Sequence, residues 1–285
     1  MKKTGYFIIT LLPFVIATLI QFIAGLYSSF LYLFMSFFAA FYNSSSSFDN
    51  VTKDSNFSTM LMIVYSLISI CVFGIWYYKK YEADYLPMRT HPFNKKMPVS
   101  LLGIVLLVPG LQFLAAIINI SIYFITPQAF DKYEKLIESA GLTDMSIMMF
   151  IYSVILAPIC EELIFRGVTF SSAKRIMPFW AANILQAFLF GAFHMNFVQG
   201  CYAFVLGLFL GYVCQKGKSI YFSLFLHFLF NLWAAVIAPL ISEIKTTVFT
   251  IMIVLISLIA SLVFGLILFN TGTRNSYNTQ SRALQ

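Results

Sequence analysis

Residues 146–170 read SIMMFIYSVILAPICEELIFRGVTF, an apolar run long enough to cross a membrane that nevertheless carries Glu161, Glu162 and Arg166. Ionised side chains are costly in the hydrocarbon core of a bilayer, so they normally face a polar interior and pair with one another or mark a functional site. The three charges therefore predict either a polar site inside the membrane or ion pairs that only hold helices together.

The composition is that of a polytopic membrane protein with no soluble domain. Hydrophobic residues make up 60% of the 285 residues and charged residues only 10%, against about 25% charged in an ordinary soluble domain. A membrane-spanning helix needs about 20 apolar residues. Such runs predict an all-α fold, a bundle of eight transmembrane helices, with spans at Tyr6–Tyr42, Phe57–Tyr78, Val99–Ile125, Ser146–Phe170, Pro178–Phe193, Phe197–Cys214, Ile220–Ile241 and Thr247–Phe269.

Several segments outside the charged span carry their own expectations. The first run is longer than a bilayer requires, so it should tilt, kink near Pro13 or Gly25, or begin as an interfacial segment. The serine-rich stretch Asn43–Ser58 is expected to be an external loop. Gln128–Ser139 alternates charge like a short helix at the outer interface, and His91 is expected to be solvated in a charged loop.

The basic residues predict the orientation, because Lys and Arg are retained in cytoplasmic loops. If eight spans start inside, four of the 18 lysines and arginines fall on the outer side, apart from Arg166 within the membrane. The four are Lys53, Lys132, Lys135 and Lys245. Both termini are therefore predicted to be cytoplasmic. The net charge of +7 is explained by these loops and by anionic headgroups of the lipid bilayer, so no nucleic-acid partner is expected.

The charged trio divides by helical phase. Glu162 and Arg166 are four residues apart, so they are neighbours on one face and are expected to pair. Glu161 points elsewhere and is expected to be free. Pro158 removes a backbone donor and favours a kink, which would open a polar pocket beside Glu161. Glu162 and Arg166 are thus predicted to be structural, and Glu161 chemical.

Two histidines lie in the later spans. His194 closes the fifth predicted span, four residues after Phe190, and His227 lies in the seventh with Asn231 one turn further on. His227 and Asn231 share a face, which is also typical of a hydrogen-bonded clasp between helices. The histidines and the intramembrane carboxylates fall on three of four consecutive spans, and short connections predict that these spans are neighbours.

These segments resemble the CPBP family of intramembrane proteases, which includes CAAX prenyl endopeptidases and the bacterial Abi proteins linked to bacteriocin immunity. The family's motifs EExxxR, FxxxH and HxxxN stand here as EELIFR at Glu161–Arg166, FGAFH at Phe190–His194 and HFLFN at His227–Asn231. The resemblance covers Ile147 to about Pro239. It implies an eight-helix bundle in a bacterial cell membrane and a membrane-associated peptide or protein as substrate.

The chain accordingly divides into three regions. Residues 1–145 form an N-terminal transmembrane region with three spans and an interfacial helix, residues 146–241 a catalytic core with four spans, and residues 242–285 a last span with a cytoplasmic tail.

The residue types suit hydrolysis by an activated water. A carboxylate held away from water is a stronger base than a solvated one, which suits Glu161 as general base. His194 would help to hold and activate the water. His227 and Asn231 would donate hydrogen bonds to the oxyanion of the tetrahedral intermediate. Glu162, Arg166 and Phe190 would support this arrangement.

A zinc site is the competing version of the same chemistry. Glu161, His194 and His227 would be a legitimate His₂Glu set for Zn²⁺ with one open position. There is no HExxH motif, however, so the three ligands would have to converge from three helices, and the version without a metal is favoured. The four cysteines form no CxxC pair and lie within predicted spans, so they indicate neither a disulfide framework nor a thiolate zinc site; they are Cys71, Cys160, Cys201 and Cys214.

Two further classes of function fit the same residues. A proton-coupled transporter could use buried Glu, His and Arg side chains as a relay, although neither inverted repeats nor paired broken helices are visible. A non-catalytic membrane scaffold or immunity protein that acts by binding is the other. Substitution of Glu161 separates the three classes, since it should abolish cleavage in the first, flux in the second and neither function nor binding in the third.

Overall fold

The chain is helical wherever the structure describes it, as the apolar runs predict. The computed structural model describes residues 3–41, 55–81, 96–142, 145–242 and 248–273. Its helices are α1 (Lys3–Phe41), α2 (Ser55–Lys80), α3 (Met97–Ile125), α4 (Pro127–Ser139), α5 (Ile147–Ala173), α6 (Phe179–Phe193), α7 (Phe197–Gly217), α8 (Ile220–Leu232, continued by Trp233–Ile237 and Ala238–Ser242) and α9 (Val248–Thr273). No strand occurs in these ranges. The predicted all-α class is confirmed.

Seven helices within the described ranges are long and apolar enough to cross a membrane, namely α1, α2, α3, α5, α7, α8 and α9. The chain is a polytopic membrane protein, as predicted. The eighth predicted span is α6, whose 15 residues extend only about 22 Å at 1.5 Å per residue. A hydrocarbon core is about 30 Å thick. α6 starts directly after Pro178 and ends at the turn containing His194. Because its length is less than the thickness of the core, it is too short to cross unaided.

The first helix exceeds the thickness of a bilayer. α1 has 39 residues, about 58 Å of helix, and runs without a break through Pro13 and Gly25. Such a length favours a tilt over an interruption. Ala17 is buried in the first half, whereas most large apolar side chains between Phe22 and Phe38 are exposed, which suits contact with lipid tails.

Two of the loop expectations can be compared with the structure only in part. Residues 43–54 of the predicted external loop, and His91, lie outside the described residues. The last four residues of that loop, Ser55–Ser58, are instead the first turn of α2. The helix expected at Gln128–Ser139 is present as α4, and none of its residues is buried.

The third and last spans pack against each other through glycines. A Cβ atom added to Gly103 of α3 would lie 2.5 Å from the backbone nitrogen of Phe269 in α9, and one added to Gly110 would lie 2.7 Å from the Leu262 side chain. Small residues let the backbones of membrane helices approach closely. The order of these pairs along the two helices makes α3 and α9 antiparallel.

Gly103→Ala is expected to lower the midpoint of thermal unfolding, because overpacking a close helix interface costs about 1–3 kcal/mol. Gly25→Ala in α1 is the matched control, since nothing lies within 4 Å of the atom it adds. Unfolding of both variants in the same detergent is the measurement. Equal midpoints would contradict the close packing of α3 on α9.

Candidate active site

The helix that carries the two glutamates departs from regular α-helix on both sides of them. The α-helical stretch Ala157–Glu162 lies between two π-helical stretches, Tyr152–Leu156 and Leu163–Phe170. Pro158 is buried within the central stretch and brings no N–H to the backbone ladder. Short π-helical segments are frequent at functional sites, and here they frame both carboxylates.

Glu162 and Arg166 form an ion pair in the protein interior. Arg166 Nη1 donates to Glu162 Oε1 at 2.9 Å, and the two side chains are 0% and 1% exposed, respectively. Arg166 Nη2 also donates to the carbonyl of Gly207 in α7 at 3.4 Å. The guanidinium carbon lies 4.4 Å from the centre of the Phe190 ring. Arg166 thus joins α5, α6 and α7 and compensates the charge of Glu162.

His227 of α8 lies between the two glutamates. Its Nδ1 is 3.0 Å from Glu162 Oε1, and its Nε2 is 3.5 Å from Glu161 Oε2. Because an ionised carboxylate only accepts hydrogen bonds, Nδ1 carries a proton, and this N–H donates a hydrogen bond to Glu162. The side chain of Glu161 is 13% exposed and that of Glu162 only 1%. Of the two carboxylates, Glu161 is therefore the more exposed.

Phe190 brings the two histidines to one place. Its ring centre lies 5.2 Å from that of His194 and 5.7 Å from that of His227, both edge-on. His194 caps the C-terminus of α6 and is followed by Met195 with a φ of 53°, so the chain turns sharply there into α7. The ring nitrogens of His194 have no hydrogen-bond partner among the described residues.

Asn231, one turn after His227, uses one of its two amide N–H groups in a hydrogen bond to the backbone of α5. Its Nδ2 donates to the backbone carbonyl of Ser153 in α5 at 2.8 Å. The amide group has a second N–H, which this bond leaves available. The structure therefore places His227 beside Glu161. Asn231 contacts Ser153, eight residues before Glu161 in α5, and His194 contacts the Phe190 ring.

Sequence reasoning missed a buried polar pair in α6. Gln186 Nε2 donates to the Gly207 carbonyl and to Asn183 Oδ1, each at 2.8 Å, so one carbonyl of α7 accepts from both Gln186 and Arg166. Asn183 in turn donates to Leu208 O at 3.0 Å. The signal was the presence of Asn and Gln three residues apart in an otherwise apolar helix.

The alternative zinc site does not fit the arrangement of donors. In the described part of the chain, no three His, Cys, Asp or Glu side chains are grouped so that they could hold a metal ion. His227 uses one ring nitrogen for Glu162, and the Phe190 ring packs against both His227 and His194. The set of Glu161, His194 and His227 is thus not gathered around a common centre.

The motif-bearing segment matches a known family. Residues 143–233 match the model of the type II CAAX prenyl endopeptidase Rce1-like family. A stretch of 89 residues is 26% identical to a protein of Bacillus subtilis (strain 168) named "Putative membrane peptidase YdiL". That stretch is 31% of this chain and 36% of the relative, so the match spans about a third of the relative's length. No solved structure matches the chain. The resemblance to the CPBP family is confirmed over this segment.

Proposed function

From the CPBP resemblance of residues 143–233, we propose that the protein is an intramembrane endopeptidase that hydrolyses a peptide bond of a membrane-associated peptide or protein. The observation that carries the proposal is the position of His227 between a fully buried carboxylate, Glu162, and a partly exposed one, Glu161. A hydrogen-bonded clasp between two helices needs only one contact between a histidine and a carboxylate, whereas His227 contacts two carboxylates. A carboxylate oriented by an imidazole and still open to solvent is what a general base requires.

In the proposed reaction Glu161 accepts a proton from water, and the resulting hydroxide attacks the carbonyl carbon of the scissile peptide. His194 accepts a hydrogen bond from the same water and holds it in place. His227 and the second N–H of Asn231 donate to the oxyanion that forms on the carbonyl oxygen. Glu161 then returns the proton to the leaving amine as the carbon–nitrogen bond breaks, so the base is regenerated.

Glu162 acts on this reaction through His227. A carboxylate that accepts from Nδ1 fixes the orientation of the ring and stabilises a positive charge on it. Arg166 holds Glu162 in the ionised form by pairing with it at 2.9 Å. The Phe190 ring contacts both imidazoles and the guanidinium. These three side chains are positioning residues for the base and the oxyanion donors.

The substrate proposed is a peptide or protein tail that lies at the membrane, either CAAX-like or a bacterial peptide such as a bacteriocin precursor. The membrane proposed is that of a bacterial cell. Both termini lie in the cytoplasm if α6 completes an eighth crossing, because the basic residues then fall mostly in the inner loops. Access would then be from the cytoplasmic leaflet.

Comparative peptidomics tests the activity and identifies the substrate. Cells that carry the intact chain are compared with cells that carry Glu161→Gln at the same level in the membrane. A peptide product that is present only with the intact chain is the expected result. If the two sets of peptides are identical and a solute flux differs instead, the relay of a transporter is the better interpretation. Identical peptides with retained binding would indicate a scaffold.

Cleavage is expected to continue at an unchanged rate after thorough chelation, because the donor atoms of Glu161, His194 and His227 do not share a centre. The purified protein is dialysed against a strong chelator, its zinc content is measured by elemental analysis, and the rate on the identified peptide is compared before and after. Loss of activity that added Zn²⁺ restores would overturn the metal-free mechanism.

A further inference from the structure

The carbonyl of Ser153 lacks a donor from its own helix. In the π-helical stretch of α5 the N–H of Ala157 donates to the carbonyl of Tyr152, five residues earlier. The next bond of this pattern would run from residue 158 to Ser153. Residue 158 is proline, which has no N–H. Asn231 of α8 supplies the missing donor, at 2.8 Å.

This bond fixes which way the Asn231 amide faces. A carbonyl oxygen can only accept a hydrogen bond, so the amide nitrogen, and not its oxygen, must point toward Ser153. The second N–H of the same nitrogen is then held in a defined direction on the face of α8 that also carries His227. An amide that was free to flip would present its oxygen to that position for part of the time.

A second proline in the bundle, in a different helix, also lies beside backbone groups that a neighbouring helix satisfies. Beside Pro109 in α3, the N–H of Gly110 donates to the hydroxyl of Ser261 in α9 at 3.0 Å, and that hydroxyl donates to the carbonyl of Leu106. Side chains of neighbouring helices commonly satisfy backbone groups that a proline releases within a membrane. Pro109 therefore offers a matched control for Pro158.

We propose that Pro158 is a positioning residue for catalysis: by withholding an N–H from Ser153, it leaves that carbonyl to orient the Asn231 amide so that its second N–H faces the substrate carbonyl. This rests on the proposed peptidase function. In Pro158→Ala the new N–H competes for the Ser153 carbonyl, and the amide of Asn231 loses its fixed orientation. Pro158 thus acts on the oxyanion only through Asn231.

The kinetic test uses the purified full chain and the peptide identified by peptidomics. Asn231→Ala is expected to lower kcat by about a hundredfold, as for the loss of an oxyanion donor, with KM little changed. Pro158→Ala is expected to lower kcat about tenfold, again with KM unchanged. The double variant should be no slower than Asn231→Ala alone, and Pro109→Ala should keep the intact rate. If the two losses multiply in the double variant, Pro158 acts independently of Asn231 and the proposal is overturned.

A stability test separates this proposal from the proposed function, because it needs no activity. Asn231→Ala should lower the midpoint of thermal unfolding by leaving the Ser153 carbonyl unpaired. The same substitution should lower it less when residue 158 is alanine, whose N–H can take over that carbonyl. Equal decreases in both backgrounds would overturn the exchange of donors, even in a chain that cleaves nothing. If the decreases differ and no peptide is ever cleaved, the donor exchange stands and the peptidase function fails.

Discussion

Glu161→Gln is expected to abolish peptide cleavage, with a loss in kcat of at least about a thousandfold, within the range by which general bases contribute. Glutamine keeps the shape of the side chain and can stay beside His227 Nε2, but its amide cannot take a proton from water. Glu161 is the carboxylate that remains 13% exposed beside that ring. The substitution therefore removes the base and leaves the surrounding packing in place.

The measurement is kcat for the identified peptide at saturation, with purified protein in a defined detergent. Glu138→Gln on the exposed face of α4 is the matched control and should keep the intact rate, because it makes the same chemical change outside the bundle core. The unfolding midpoint of the Glu161 variant should stay near that of the intact chain. A Glu161→Gln chain that cleaves at the intact rate would remove Glu161 from the mechanism.

The helices and the ion pair were predictable from local rules. Apolar runs of sufficient length have few alternatives in a bilayer, because backbone groups there must be satisfied within one helix. The spacing of Glu162 and Arg166 likewise needs only the geometry of a single helix, and the two side chains are paired in the structure. Residues 163–170 form a π-helix, in which one turn contains more residues than a turn of α-helix, yet residues four apart still lie on one face.

The partner of Glu161 was not predictable in the same way. Whether His227 meets Glu161, Glu162 or both depends on how α8 is rotated against α5, and that rotation is set by packing between helices. The bond from Asn231 to Ser153 depends in addition on a π-helical turn before Pro158. Residue types and spacing predict which residues are candidates for the site, whereas the contacts between these residues required the coordinates.

The fifth predicted span is shorter than the hydrocarbon core of a bilayer is thick. A full span would have carried the chain through the membrane before His194. α6 has only 15 residues and stops where His194 caps its last turn. The residues His-Met-Asn after an apolar run do not by themselves predict that the helix ends there, because the turn depends on Met195 in the left-handed conformation.

Arg166→Met is expected to cause the largest loss of stability of any single substitution considered, about 3–5 kcal/mol. It removes the cation paired with Glu162, which is 1% exposed, and leaves that carboxylate in contact with His227. It also removes the contact with the Gly207 carbonyl that ties α5 to α7. We expect the variant to be poorly recovered from membranes and, where recovered, to unfold at a lower temperature than the intact chain.

Neutralising the partner should restore much of that loss. In Glu162→Gln/Arg166→Met no buried charge remains unpaired, and replacing both members of a buried pair is often close to neutral. Lys135→Met on α4 is the control for loss of a surface cation and should leave the midpoint nearly unchanged. Thermal unfolding of the four chains in one detergent gives the comparison.

The folded double variant also separates stability from catalysis. Glutamine can still accept a hydrogen bond from His227 Nδ1, but it carries no charge to stabilise a positive imidazole, so slow cleavage is expected from a protein that is well folded. Glu161 is untouched in this variant, so the remaining rate should exceed that of Glu161→Gln. If Arg166→Met is as stable as the intact chain, the buried pair does not depend on mutual compensation. If the double variant cleaves at the intact rate, the pair does not orient His227 for catalysis.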